Sequence, residues 1–181
     1  MQFVPYDEKV EVIGAAVLST LEGMGVFRSA AIDLLAKNGI KNPTKDGWYP
    51  QKAWLETMKE ISGKMGPNTV FMVGTKILDN AVWPPDIDNL QKGLTSIDAA
   101  YHMNHRNGRV GNYKLVSFND QEKTAKVVCD NPYPCDFDRG LITTVSRTFR
   151  PTECPRIDVI HDTSSPCRKT GADSCTYIIK W

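Results

Sequence analysis

The chain reads as an α+β domain, an N-terminal helical layer packed on a small antiparallel sheet with β-β-α-β-β order at the C-terminal end. Three observations predict it. Apolar residues recur at helical spacing through the first hundred residues, strand-like alternation takes over from Tyr113, and no repeat, low-complexity tract or linker divides the 181 residues. A single domain over 1–181 follows, with a helical part at 1–110 and a sheet part at 111–181.

Val10, Ile13, Val17, Leu21 and Met24 mark the inner face of a first helix, Tyr6 to Met24, which Gly23 and Gly25 stop. Ala31, Leu34 and Leu35 mark a second, Phe27 to Lys37, ending at Asn38-Gly39; Pro43 to Tyr49 reads as a loop. A third starts at Pro50, turns Trp54, Met58 and Ile61 inward, and breaks at Gly63 and Gly66-Pro67. Thr69 to Asn80, with Phe71, Met72 and Ile77, is open to a further helix. Past Trp83-Pro84-Pro85, Ile87, Leu90, Leu94, Ile97 and Tyr101 keep helical spacing until Arg106-Asn107-Gly108.

Tyr113 to Phe118 and Thr124 to Cys129 then form a hairpin about the polar turn at 119–122. A helix from Asp136 to Phe149 and strands at 156–161 and 175–181 complete the chain. A layered arrangement of this kind leaves room for an apolar pocket, and Met24, Phe27, Phe71, Met72, Tyr101 and Phe149 are candidates to line it, flexible methionine and flat rings making adaptable walls.

With 22 basic and 21 acidic residues interspersed, net charge +1, the sequence has no block of like charge to grip nucleic acid or an anionic membrane. The start lacks a secretory pattern and no apolar run approaches a membrane span, so a cytoplasmic protein is expected. In a reducing compartment, an odd count of five cysteines points to metal ligation or redox chemistry over a disulfide framework.

Cys167 and Cys175 flank a loop with Gly171 in its middle, Cys135 sits in NPYPCDFD just before a helix, and His161 ends a strand. Together Cys135, His161, Cys167 and Cys175 form a set of three thiolates and one imidazole, the closed, structural type of zinc site. Cys154 and Cys129 are lesser candidates, and Asp136 and Asp138 read as first-turn residues that suit the helix dipole.

The segment C-R-x-x-G-x-x-x-C, here Cys167, Arg168, Gly171 and Cys175, followed by a strand, resembles the C-terminal motif of the 4-vinyl reductase domain family, which includes aromatic-sensing domains of phenol-responsive activators. Cys135 and Gly140 also match a spacing in those sensors. The resemblance implies a zinc held by three cysteines and a glutamate, but Ser164 stands at the glutamate position; His161 is the substitute and Asp162 the reserve. The wider superfamily, which joins heme-based H-NOX sensors and TRAPP subunits, is similar in layout and implies a ligand pocket and a possible homodimer.

H-NOX proteins ligate heme through a histidine late in the long helix, where this chain has Asp98, His102 and His105; His102 therefore joins the pocket candidates, although the tyrosine, serine and arginine signature for the propionates is missing before Cys135. The expected function is a ligand-binding, sensor-type domain enclosing a small hydrophobic or aromatic molecule beside a structural zinc. The rivals are a metal-dependent hydrolase with an open site, a heme-based gas sensor, and an assembly module.

Overall fold

The computed structural model describes all 181 residues. Helices α1 (Gly14–Gly23), α2 (Arg28–Lys37), α3 (Gln51–Met65), α4 (Pro67–Thr75), α5 (Ile77–Asn80) and α6 (Leu90–Met103) precede a hairpin of β4 (Asn112–Asn119) and β5 (Thr124–Asp130). Helix α7 (Cys135–Thr148), β6 (Asp158–His161) and β7 (Cys175–Lys180) follow. The four strands form an antiparallel sheet in the order β4-β5-β7-β6, so the expected β-β-α-β-β order is the observed one.

A second, three-stranded sheet lies outside the sequence expectation. It joins β1 (Glu11–Ile13), β2 (Trp48–Pro50) and β3 (His105–Arg106) in the order β2-β1-β3. The helix expected from Tyr6 therefore begins only at Gly14. Val10 and Val12 are buried with Glu11 between them, an alternation of period two that a helical template also accepts where three residues are all the strand has.

Other boundaries moved for local reasons. Helix α3 runs through Gly63 to Met65, because a glycine with open space around it weakens a helix without ending it. Thr69 to Asn80 is helical but split into α4 and α5. The long helix starts after Ile87, where Asn89 caps it by accepting from Lys92 N–H at 2.9 Å.

The core lies between the helices and the four-stranded sheet, with Trp54, Ile97, Ile142 and Tyr177 almost wholly buried. Helices α4 and α7 cross at backbone contact through a pair of glycines. A Cβ on Gly140 would stand 2.2 Å from Phe71 O, and one on Gly74 2.1 Å from Phe137 O. This approach sets the position of α7, whose first turn carries Cys135, Phe137 and Asp138 into the interior.

Candidate functional site

Two features share α7. At its N-terminus, the ligand atoms of Cys135, His161, Cys167 and Cys175 all lie within 4.8 Å of one another. Cys135 is the first residue of α7, His161 the last of β6, and Cys175 the first of β7. Cys167 precedes a 3-10 turn, Arg168–Thr170, that Gly171 closes at φ 91°, a backbone state glycine adopts without strain.

The sulfur of Cys167 is 3.7 Å from that of Cys135 and 3.8 Å from that of Cys175; the Cys135–Cys175 separation is 3.1 Å. Sulfurs about 2.3 Å from one tetrahedral ion stand roughly 3.8 Å apart, so two of the three edges already have that length. His161 stacks on Tyr177, and its Nε2 is buried with no hydrogen-bond partner. A buried ring nitrogen left unpaired is costly unless a further atom belongs beside it. The donor set thus fits zinc, and four protein donors leave no position for a substrate.

The thiols are unequal. A hydrogen bond from Cys135 and the nearby Arg168 hold the Cys175 thiol down to about 4, while the hydrogen bond to Cys175 and burial push Cys135 up. Arg168 donates to the Cys175 sulfur from its backbone N–H at 3.3 Å and from Nε at 3.4 Å. Its guanidinium, 1 % exposed, also pairs with the carboxylate of Asp138 and bonds to Asn131. Asp138 is no ordinary first-turn acid: burial raises it to about 6 against the pull of Arg168 and of Tyr113, whose hydroxyl donates to it.

The second feature is a cavity of about 30 Å³ between α6, α7 and the hairpin, almost entirely apolar in its walls. Trp54, Tyr101, His105, Tyr113, Tyr133 and Phe137 line it. Tyr133 stacks on Phe137 at 5.0 Å, and Trp54 meets both edge-on. His105 faces the Tyr101 carbonyl at 2.7 Å through Nδ1, so that nitrogen carries the proton, and Nε2 accepts from the Tyr133 hydroxyl at 2.6 Å. Burial lowers its pKa to about 4 and keeps the ring neutral. Trp83 Nε1 is buried without a partner.

Of the expected pocket residues, only Tyr101 borders this cavity. Phe27 is 54 % and Met72 46 % exposed, because one ends a turn beyond α1 and the other lies on the outer face of α4. Phe71 lies under the Arg139 guanidinium, Met24 is buried elsewhere in the core, and Phe149 packs on Gly93. The His102 side chain is half exposed and turns back to the Asp98 carbonyl. Asp162 is occupied by the hydroxyls of Ser164 and Ser165. Trp54, Tyr113, Tyr133 and Phe137 were missed because each sits where helix, strand or turn patterning explains it without a cavity.

No family model matches the chain, and no curated protein matches it. Solved structures do. An H-NOX protein from Shewanella oneidensis in the Fe(II)NO ligation state is 18 % identical, with TM-score 0.61 over 92 % of this chain and 97 % of that one. A single-residue mutant of T. tengcongensis H-NOX is 14 % identical, with TM-score 0.64 over 92 % and 96 %. An oxygen-binding H-NOX domain related to soluble guanylate cyclases is 15 % identical, with TM-score 0.61 over 92 % and 93 %. The chain has the H-NOX fold. The resemblance to 4-vinyl reductase domains is corrected by these matches over nearly the whole chain; the C-R-x-x-G-x-x-x-C motif covers a single loop, Cys167 to Cys175.

Proposed function

We propose that this chain is a ligand-binding, sensor-type domain on the H-NOX scaffold, with a zinc ion held by Cys135, His161, Cys167 and Cys175 as a structural brace. The observation that carries the binding function is the apolar cavity lodged between helical layer and sheet, with the neutral His105 in its wall. A reducing, cytoplasmic setting goes with this reading, since it keeps the three thiols available to the ion.

The similar H-NOX structures include complexes with nitric oxide, carbon monoxide and oxygen, which supports a gas-sized ligand over an aromatic one. That supports the heme-based sensor as the second reading. The residues present do not fit a porphyrin in this conformation. Pockets for ligands of that size run to about 300–1,000 Å³, against about 30 Å³ here, and both nitrogens of His105 are engaged. Tyr133 and Phe137 would have to swing out of their stack.

Magnitude separates the readings. Two heavy atoms held by contacts alone yield at most about 3 kcal/mol, a dissociation constant in the millimolar range. A gas sensed below that needs a metal–ligand bond. The deciding experiment is titration of the purified protein with hemin, read by the Soret band, alongside metal analysis and native mass spectrometry of protein from its own host. One zinc per chain, no heme uptake and saturable binding of a ligand of two or three heavy atoms, read by the fluorescence of the cavity's Trp54, support the first reading. A stoichiometric Soret band that shifts with carbon monoxide supports the second, and protein that neither takes up heme nor binds such a ligand saturably defeats the sensor reading.

A further inference from the structure

The two edges of the four-stranded sheet differ. On β4 the ladder is bulged between Leu115 and Ser117, and Lys114 is exposed, both of which blunt an edge against pairing with another chain. Strand β6 pairs with β7 in unbroken register and with nothing on its other side. It carries no lysine, proline or bulge, and Ile160 is 47 % exposed.

A groove of about 400 Å³ follows this edge. One wall is Arg156, Ile157, Asp158, Val159 and Ile160 in succession. Strand side chains alternate between faces, so consecutive residues line one groove only where it runs along the open edge of the strand. The other wall is α7, which presents Arg139, Thr143 and Arg147 one turn apart. That stripe spans about 12 Å.

The lining carries three arginines against one carboxylate, Asp158. Arg139 lies over Phe71, 3.5 Å from Asp136, and Arg156 pairs with Asp158 at 3.0 Å, but Arg147 has no carboxylate partner. Three arginines strung along a groove do not converge on a single phosphate.

We infer that the groove receives an extended acidic segment of a partner protein, added to the sheet as a fifth strand beside β6. Main-chain hydrogen bonds to the free edge supply affinity, and acidic side chains reach the arginines that line the groove, Arg139 and Arg147 on α7 and Arg156 just before β6. Same-face residues four apart in a strand are separated by about 13 Å, close to the length of the arginine stripe. The segment therefore carries acidic residues at i and i+4, with an apolar residue to cover Ile160. This inference does not depend on what occupies the central cavity.

The test is fluorescence anisotropy with a labelled octapeptide of threonine and valine carrying glutamate at its second and sixth positions, and a control with lysine at both. The glutamate peptide is expected to bind saturably and to weaken as salt rises. Affinity should fall about tenfold or more in Arg147→Glu and Arg156→Glu, a loss of about 1.4 kcal/mol each. Both side chains are exposed, so circular dichroism melts should match the parent. N-methylation of alternate peptide bonds should abolish binding if the peptide adds as a strand. Equal binding of the lysine peptide, affinity unchanged in both arginine variants, or no saturable binding up to about 1 mM would overturn the inference. So would a dimer dispersed by Ile160→Lys, which would give the edge to a second copy.

Discussion

The partly buried imidazole of His105 makes stability depend on pH in a defined direction. Its folded pKa is lowered from 6.5 to about 4 by burial, only partly offset by the Tyr101 carbonyl. Between those values the unfolded chain holds a proton that the folded chain does not. The contribution is intact above pH 6.5 and is lost as pH falls toward 4, by about 3 kcal/mol over the whole window at about 1.4 kcal/mol per unit. Between about pH 7.5 and 5.5 the loss is about 1.3 kcal/mol, before most carboxylates titrate. Urea unfolding of the parent and of His105→Gln at those two pH values measures it. The parent should lose about 1.3 kcal/mol more than the variant, with equal m-values. His161 and His102 remain in both proteins, so the difference belongs to His105. Equal pH slopes in the two proteins would refute the assignment of a neutral, hydrogen-bonded ring, and a parent that gains stability as pH falls would reverse it.

If zinc braces the cluster as proposed, a chelator should loosen residues 135–181 to protease before the helices, and Cys167→Ser should lower bound zinc below one per chain by elemental analysis; unchanged cleavage despite confirmed metal loss would count against the brace. Arg168→Met leaves the carboxylate of Asp138 buried and unpaired, a cost of about 3–5 kcal/mol in urea unfolding. Gly140→Ala forces α4 from α7 and should cost about 1–3 kcal/mol, read as a lower melting temperature. Trp54→Ala empties the space beside Tyr133 and Phe137, at about 3–5 kcal/mol unless a ligand fills it, in which case added ligand restores part of the loss.

The elements legible in the sequence are those long enough to repeat their own period. Helices α3 and α6 show three or four apolar turns, and β5 alternates buried and open residues over its length. The sheet of β1, β2 and β3 was invisible because strands of two or three residues have no period to read. The cysteine and histidine cluster was legible because those residue types are few and each stood at an element boundary, where tertiary contact fixes position. An apolar pocket was expected, but of its lining only Tyr101: the other rings come from α3, β3, β4, α7 and the turn before it, and only the fold says that Trp54 and Tyr133 meet.

The placement of α7 explains how one short helix serves two sites. Cys135 starts it at the cysteine cluster, Phe137 and Leu141 face the cavity, and Asp138 lies between them, held by Arg168 from the cysteine loop and by Tyr113 from the cavity wall. Asp138 has no exposed surface, so neither partner can be exchanged for water without moving the helix. The glycine contacts with α4 allow little movement. Arg168, Asp138 and Tyr113 are in direct hydrogen-bond contact, so a shift of Arg168 with the cysteine loop is expected at the Tyr113 hydroxyl, in the wall of the cavity.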